Sequence, residues 1–256
     1  MYMEKDYIKK IDIKGLWGKK DISWNNIRQD VNIVVGINGS GKTAMLDMIE
    51  AYYKKNNRVL KKYGGDVTGQ PQPGDVYPIT YIHSYNMPDT GKRKSESPLM
   101  RELNYAVYQN KDRCSFFNYR MKMLDYPQQA EEINRNINEL FDVVNNIFKD
   151  TDKRITLSDG TLAFQQSGTE FALEELSSGE KRLLLILLKV FLMEKKPGIL
   201  FIDEPEISLH VSWQQQLIEA IRTLNSRCQI ILATHSPGIF AKGWMNSLVY
   251  MEDLMM

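Results

Sequence analysis

Two short stretches of the sequence carry residue types that could bind a phosphate group and a divalent cation. The first, GINGSGKT at residues 36–43, is rich in glycine and ends in a lysine and a threonine. The second, ILFIDEPE at residues 199–206, ends an apolar run on the adjacent carboxylates Asp203 and Glu204. Two buried carboxylates side by side are unfavourable unless a cation lies next to them. The pair therefore indicates either a solvated turn or a metal site.

The first stretch decides between these two interpretations. It matches the pattern G-x-x-x-x-G-K-[ST] in full, and it lies between a predicted strand and a predicted helix. Its glycines allow backbone N–H groups to converge on phosphate oxygens, and the start of the helix adds positive potential. Lys42 is expected to reach the β- and γ-phosphates, and Thr43 is expected to ligate magnesium. The predicted ATP contacts are Gly36, Ile37, Asn38, Gly39, Ser40, Gly41, Lys42, Thr43 and Ala44.

The acidic pair then has a predicted role at the same site. Asp203 can ligate the magnesium ion that Thr43 holds, directly or through water, and this ion offsets the burial of the acids. Glu204, one residue later, would face the γ-phosphate and polarise the attacking water as general base. The predicted cofactors are ATP and Mg²⁺, and the predicted reaction is magnesium-dependent ATP hydrolysis.

Apolar patterns around these motifs predict an α/β fold. Alternating helices and strands in the second half of the chain predict a largely parallel sheet flanked by helices. Residues 56–75 hold many glycines and prolines and are predicted to form a loop. Residues 154–166 are predicted to form a hairpin with Asp159 and Gly160 at its turn. Strands are predicted at 7–13, 31–35, 77–85, 199–203, 229–233 and 247–251, and helices at 42–55, 179–194 and 211–224.

Composition limits the classes of protein to which the chain can belong. Its formal net charge is +1, which gives no global field for nucleic acid or membrane. Its two cysteines, Cys114 and Cys228, form no CxxC pair and predict neither a disulfide framework nor a zinc ribbon. The N-terminus lacks the apolar core of a signal peptide, and the apolar run at 183–188 is too short to span a bilayer. We expect a soluble cytoplasmic protein with no membrane partner.

A third motif, LSSGE at residues 176–180, opens a long apolar helix and by itself fits a plain helix cap equally well. With GINGSGKT, ILFIDEPE and ATHSP, however, it stands in the order seen in ABC-type ATPase heads, which the sequence resembles over about 7–55 and 154–251. The resemblance implies a P-loop NTPase fold with N-terminal antiparallel strands and a helical insert. We expect one ATPase domain over 1–256, with 87–153 as its insert.

The resemblance also implies an ATP-sandwiched homodimer, in which the signature loop contacts the γ-phosphate bound by the other subunit. The matching signature residues here are Ser177, Ser178, Gly179 and Glu180. His235 in ATHSP matches the switch histidine that reads the γ-phosphate, and a histidine satisfied in the core is the alternative. Residues 208–210 occupy the D-loop position.

The branch of the family follows from two motif variants. Transporter ATPases usually read LSGGQ and DEPTSALD, whereas this chain reads LSSGEK and DEPEISLH. The chain resembles the DNA-repair and anti-phage group, which includes Rad50/SMC-like heads, OLD-like ATPases and the Septu and retron-associated ATPases. That implies a sensor or regulator acting with a separate effector, such as a nuclease or toxin, in phage defence or DNA maintenance. The alternative is the ATP-binding subunit of an ABC transporter.

Two assignments depart from the family pattern. No glutamine ends the strand at 77–85, and Asn86 or Ser84 are the residues that could substitute for it. Trp17 is a candidate for stacking on adenine, and a core tryptophan is the alternative.

Residues 92–122 combine a local charge of +5 with interleaved aromatic rings. That segment fits a nucleic-acid surface, a helical lid with a solvated basic face, or a protein contact.

Overall fold

The computed structural model describes residues 5–84, 96–108, 114–158 and 160–256. Its strands are β1 (Lys10–Leu16), β2 (Lys20–Trp24), β3 (Val31–Val35), β4 (Asp66–Gln70), β5 (Ile79–Ile82), β6 (Lys153–Ser158), β7 (Thr161–Gln166), β8 (Thr169–Phe171), β9 (Gly198–Asp203), β10 (Cys228–Thr234) and β11 (Leu248–Tyr250). Its helices are α1 (Lys42–Tyr53), α2 (Asn57–Tyr63), α3 (Pro98–Val107), α4 (Phe116–Asp125), α5 (Ala130–Phe148), α6 (Ser178–Phe191), α7 (Val211–Leu224) and α8 (Met251–Leu254). Short 3₁₀ turns occupy Pro127–Gln129, Lys149–Thr151, Leu173–Glu175, Pro237–Ile239 and Met245–Ser247.

The described residues divide into two compact units. The first contains the described residues up to Ser84, together with Lys196–Glu206 and Arg227–Met256. The second contains the described residues between these segments, and it therefore holds the described part of the predicted insert as well as α6 and α7. The extent of the ATPase domain and of its insert stays a prediction.

A five-stranded parallel sheet forms the centre of the first unit, in the order β11-β3-β10-β9-β5. Every residue of β9 and β10 is buried, which explains why both strands read as continuous apolar runs. Thr234 pairs with Val35, and Ala233 pairs with Asp203, so β3, β10 and β9 end side by side. The parallel α/β sheet that the sequence predicted is confirmed.

An antiparallel sheet, β2-β1-β4, accompanies it in the same unit. The first strand begins three residues later than predicted, at Lys10. The prediction of a loop over 56–75 is wrong, because this range contains α2 and β4. The Asn56 side chain caps α2 by accepting from the Val59 N–H, and β4 obtains its hydrogen bonds from β1. Both elements therefore depend on partners that glycine and proline content does not reveal.

Helix α1 packs into the core of the first unit with Met45, Leu46, Met48 and Ile49 fully buried. Its end lies against β4 at a glycine, because a Cβ on Gly69 would come within 2.7 Å of the Tyr53 hydroxyl. This packing fixes the direction of α1, and with it the position of the residues at its start.

The second unit combines helices α3–α7 with the antiparallel sheet β6-β7-β8. Helix α5 buries an apolar face formed by Ile133, Ile137, Leu140, Val144 and Ile147. The apolar run of α6, residues 183–188, is fully buried. Strands β6 and β7 form the predicted hairpin, and Asp159 of its predicted turn lies outside the described residues. Within the described ranges, the structure has no helix long and apolar enough to cross a bilayer.

Candidate nucleotide site

The glycine-rich loop follows β3 directly and leads into α1, which begins at Lys42. Gly39 and Gly41 adopt left-handed conformations, with φ values of 80° and 109°, which residues with a Cβ rarely tolerate. A Cβ on Gly36 would come within 2.8 Å of the Ser40 Oγ. The loop is thus closely wound on itself, and side chains at these positions would fill its interior or strain its backbone.

Donors converge on this loop. The Lys42 ammonium is buried and donates to the Gly36 carbonyl at 2.7 Å and to the Ile37 carbonyl at 3.0 Å. The Ser40 hydroxyl is buried, and none of the described residues offers it a hydrogen-bond partner. The first N–H groups of α1 have no acceptor within their own helix. A lysine, a hydroxyl and helix-end amides together fit a phosphate group.

The Thr43 hydroxyl lies 2.9 and 3.1 Å from the two carboxylate oxygens of Asp203, at the end of β9. Burial raises the pKa of Asp203, and hydrogen bonds from Thr43 and from Ser84 partly offset this rise. The negative charges of Glu204 and Asp47 add to it. A hydroxyl and a destabilised carboxylate are hard oxygen donors that suit Mg²⁺, and a cation there would relieve the burial of Asp203.

Two oxygen-bearing side chains beside the loop, Thr43 and Asp203, fit a divalent cation. Across the residues that the structure describes, no cluster of three or more His, Cys, Asp or Glu side chains is arranged to hold a metal ion. Mg²⁺ commonly keeps water molecules and substrate phosphates as ligands, so two protein ligands beside a phosphate loop fit it. Ser84 lies next to this pair, whereas Asn86 lies outside the described residues.

Glu204 and His235 follow the neighbouring strands β9 and β10 at the same edge of the sheet. Glu204 has a φ of 46°, an unfavourable conformation for a residue with a side chain, and its N–H donates to the Ala233 carbonyl at 2.9 Å. Its Oε1 lies 3.8 Å from the Nδ1 of His235, whose side chain is 44% exposed. The histidine is therefore a surface residue beside the acidic pair, and its alternative interpretation as a core histidine is wrong.

Glu206 belongs to the same cluster, although sequence reasoning did not select it. Its carboxylate is buried and accepts the backbone N–H of His235 at 2.9 Å. The same oxygen lies 3.1 Å from the Nδ1 of His235. The third acid of the DEPE motif is the only available signal, and nothing in its spacing indicates a contact 29 residues away.

A cavity of about 250 Å³ opens on the loop in the first unit. Its lining includes Trp17, Tyr63 and Glu204 in addition to residues of the loop. Trp17 is 44% exposed, and its ring lies 3.4 Å from where a Cβ on Gly41 would be. Trp17 is therefore not a core tryptophan, and an exposed ring at the mouth of the cavity fits stacking on a base. Tyr63, on α2, was missed because that helix was predicted to be a loop.

The signature residues lie at the start of α6 in the second unit. Ser177 is the N-cap, and its Oγ accepts from the Glu180 N–H at 3.3 Å. The Glu180 carboxylate is buried, where it accepts from the Ser177 N–H at 2.7 Å and from the Lys153 ammonium at 2.9 Å. Both contacts lower the pKa of Glu180 against the opposing effect of burial. Ser177 and Ser178 are exposed residues at this well-supported helix start.

Gly179 holds the signature against the predicted D-loop. A Cβ on Gly179 would come within 2.3 Å of the Ser208 carbonyl oxygen, so only glycine fits at this contact. Ser208 itself has a φ of 62°. His210 then caps α7 by accepting from the Ser212 N–H at 3.3 Å. Residues 177–180 and 208–210 thus form one packed surface.

In the described part of the basic and aromatic segment 92–122, some aromatic rings are buried and some basic side chains are paired. Phe116 and Tyr119 are buried, so their rings cannot stack on bases. Lys122 pairs with Glu194 at 2.6 Å, and Arg120 donates to the Gly160 carbonyl at 3.1 Å. Arg101, Tyr105 and Tyr108 are described on or beside α3, whereas the basic residues 92–94, 111 and 113 lie outside the described residues. Nucleic-acid binding stays a prediction.

The model of a known family, described as "AAA domain, putative AbiEii toxin, Type IV TA system", matches residues 80–241. This range covers more than half of the 256 residues, and it includes the signature, the acidic motif and His235. The chain belongs to this AAA family. It is therefore a P-loop ATPase of the AAA/ABC type, as the four motifs in their order predicted.

Two relatives of this AAA protein match it over short stretches. Retron Vc95 probable ATPase from Vibrio cholerae serotype O1 biovar El Tor is 32% identical over 83 residues, 28% of this chain and 16% of that protein. Septu protein PtuA from Bacillus thuringiensis is 36% identical over 52 residues, 20% of this chain and 13% of that protein. The matched stretches thus span less than a fifth of either relative. They confirm the predicted resemblance to ATPases of defence systems.

Solved structures support the fold of this AAA protein over nearly its full length. The SmcHead bound to the C-winged helix domain of ScpA has a TM-score of 0.57 at 14% identity, covering 93% of this chain and 92% of that one. The SMC head domain from Thermotoga maritima has a TM-score of 0.54 at 15% identity, covering 96% and 94%. The predicted ATPase-head fold is confirmed.

Proposed function

We propose that the chain binds ATP along residues 36–44 and hydrolyses it with the help of Mg²⁺. The observation that carries this proposal is the 2.9 Å contact between the Thr43 hydroxyl and the Asp203 carboxylate, directly beside the glycine-rich loop. Thr43 and Asp203 would hold the ion, which when bound would neutralise charge on the β- and γ-phosphate oxygens. Lys42 would hold the same oxygens, and Glu204 would accept a proton from water.

Replacement of Asp203 by asparagine tests the metal assignment. The amide keeps an acceptor for the Thr43 hydroxyl but removes the negative charge that attracts a divalent cation. We expect Asp203→Asn to weaken ATP binding in Mg²⁺ more than in EDTA. Isothermal titration in both buffers measures this difference.

The matched control is Glu50→Gln, which removes a carboxylate from α1 at a surface ion pair with Lys54. This control should bind ATP as the unmodified chain does in both buffers. An equal loss of affinity with and without Mg²⁺ for Asp203→Asn would show that Asp203 supports the loop rather than the metal.

The other site residues follow from the same proposal. His235 would contact the γ-phosphate from the end of β10, beside Glu204. Trp17 would stack on the adenine ring, since it is exposed at the cavity and lies against the loop. Ser84 would take the place of the family's glutamine, because it already donates to Asp203.

We further propose that two copies of the chain enclose ATP between them. Ser177 and Ser178, which are exposed at the start of α6, would donate to a phosphate bound by a second copy. Glu180 would stabilise the two serines by accepting the Ser177 N–H. Gly179 would stabilise them through its close contact with the Ser208 carbonyl. Glu180, which was predicted as a nucleotide contact, would then act from behind the signature, because its carboxylate is buried against Ser177 and Lys153.

Introduction of arginine at Ser178 tests the homodimer. We expect Ser178→Arg to bind ATP normally but not to dimerise, because the bulky side chain would occupy the space of the partner's γ-phosphate. Size-exclusion chromatography with light scattering, with ATP and Mg²⁺, measures the mass. Ser226→Arg, in the exposed turn after α7, is the control and should dimerise. ATP-dependent dimers of Ser178→Arg would contradict the role of the signature.

The biological role that we propose is an ATP-driven sensor or regulator in phage defence or DNA maintenance, acting with a separate effector. The similarity to a retron ATPase and to Septu PtuA supports this role over the matched stretches. Isolation of the native complex, followed by mass spectrometry of the co-purifying chains, tests it. A nuclease or toxin is the expected partner, and a membrane permease would favour the transporter alternative, which stays a prediction.

A further inference from the structure

Glu206 is a buried carboxylate for which the proposed reaction has no use. Its Oε1 receives two potential hydrogen bonds from one residue, from the backbone N–H of His235 at 2.9 Å and from the ring Nδ1 at 3.1 Å. Its Oε2 is buried and accepts no hydrogen bond from the described part of the chain. A buried carboxylate is unfavourable unless donors or a cation compensate it, so both contacts to His235 matter.

The histidine ring lies between two carboxylates. Its Nδ1 is 3.1 Å from the Oε1 of Glu206 and 3.8 Å from the Oε1 of Glu204. An ionised carboxylate can only accept, so a hydrogen bond at the shorter distance requires the proton to reside on Nδ1. The Nε2 atom is then the ring nitrogen that is free to act on a ligand.

We propose that Glu206 is a positioning residue that fixes the orientation of the His235 ring and selects Nδ1 as a nitrogen that carries a proton. This inference rests on the proposed function, in which His235 contacts the γ-phosphate and Glu204 acts as the base. Glu206 takes the Nδ1–H bond that would otherwise go to Glu204. The imidazole thereby presents Nε2 to the nucleotide.

The hydrogen bond from the His235 backbone N–H gives Glu206 a possible structural role, which the experiments must distinguish from positioning of the ring. The N–H bond of His235 to Glu206 also ties the end of β10 to the turn after β9. A purely structural role would destabilise the chain when Glu206 is changed, but it would neither select a ring nitrogen for the proton nor depend on the imidazole.

The first experiment determines which ring nitrogen of His235 carries a proton, and it requires neither nucleotide nor catalysis. The chain has only three histidines, so ¹⁵N-labelled imidazoles can be assigned by replacing His83 and His210 with glutamine one at a time. We expect His235 to carry a proton on Nδ1. An unprotonated Nδ1 on His235 would overturn the proposal, because that atom could not donate to Glu206.

The second experiment is a double-mutant cycle on ATP turnover. We expect Glu206→Ala to lower kcat by about 10- to 10²-fold with little change in KM, as for other partners that orient a functional imidazole. Glu206→Gln keeps an acceptor oxygen and should retain more of kcat than the alanine variant. In a His235→Ala background, Glu206→Ala should have no further effect.

The outcomes separate the two proposals. An equal loss of kcat from Glu206→Ala with and without His235 would overturn positioning while leaving the ATPase proposal intact. A chain that hydrolyses no ATP would contradict the proposed function, and the imidazole spectrum would still test the Glu206–His235 contact. Thermal unfolding of each variant identifies any that fail to fold, and the spectrum of the unmodified chain needs no variant of Glu206.

Discussion

Glu204→Gln is expected to abolish ATP turnover while leaving ATP binding intact. Glutamine keeps the size and shape of the side chain but cannot accept a proton from the attacking water. Removal of a general base lowers turnover by about 10²- to 10⁴-fold. Phosphate release measures the loss, and equilibrium titration with ATP measures the retained affinity.

The same variant should accumulate as an ATP-bound dimer, since hydrolysis would no longer release the two copies. Light scattering with and without ATP and Mg²⁺ measures this change, and addition of Ser178→Arg should abolish it. Glu219→Gln, an exposed position on α7, is the control and should turn over as the unmodified chain does. Unreduced hydrolysis by Glu204→Gln would remove Glu204 from the mechanism.

Lys42→Ala should cause the largest loss of nucleotide affinity. The Lys42 ammonium is held at the loop by the carbonyls of Gly36 and Ile37, and a phosphate there would gain a charge-assisted hydrogen bond. Such a bond is worth up to about 3 kcal/mol, so we expect the Kd for ATP to rise by roughly 10²-fold. Titration calorimetry measures the change.

Loss of the two carbonyl contacts could also loosen the loop, so the experiment needs two controls. Lys54→Ala removes an exposed lysine from the end of α1 and should bind ATP normally. Thermal unfolding of Lys42→Ala without nucleotide shows whether the fold is intact. An unchanged Kd in a folded Lys42→Ala protein would contradict the assignment of residues 36–43 as the phosphate loop.

The sequence was sufficient to predict the parts of the site that depend on local chemistry. Strands β9 and β10 read as continuous apolar runs because a parallel strand is buried on both faces. Asp203 ends β9, and His235 follows β10 directly. The glycines of the loop are required by its left-handed turns. Thr43 and Asp203, which are 160 residues apart, could therefore be paired from the sequence.

The features that the sequence did not predict depend on contacts between distant residues. Strand β4 follows two glycines and contains a third, and its pairing with β1 makes it regular. Helix α2 is an exception, because its cap at Asn56 is local. Glu206 resembles any acid in a turn until His235 is placed against it. Phe116 and Tyr119 read as candidates for base stacking, yet they are core residues of the second unit.

The central claim is that the glycine-rich loop and Asp203 form a single site for ATP and Mg²⁺. Titration of the unmodified chain with ATP, in Mg²⁺ and then in EDTA, tests this claim most directly. We expect saturable binding of one ATP per chain that is tighter in Mg²⁺. The absence of saturable binding in either buffer would contradict the account.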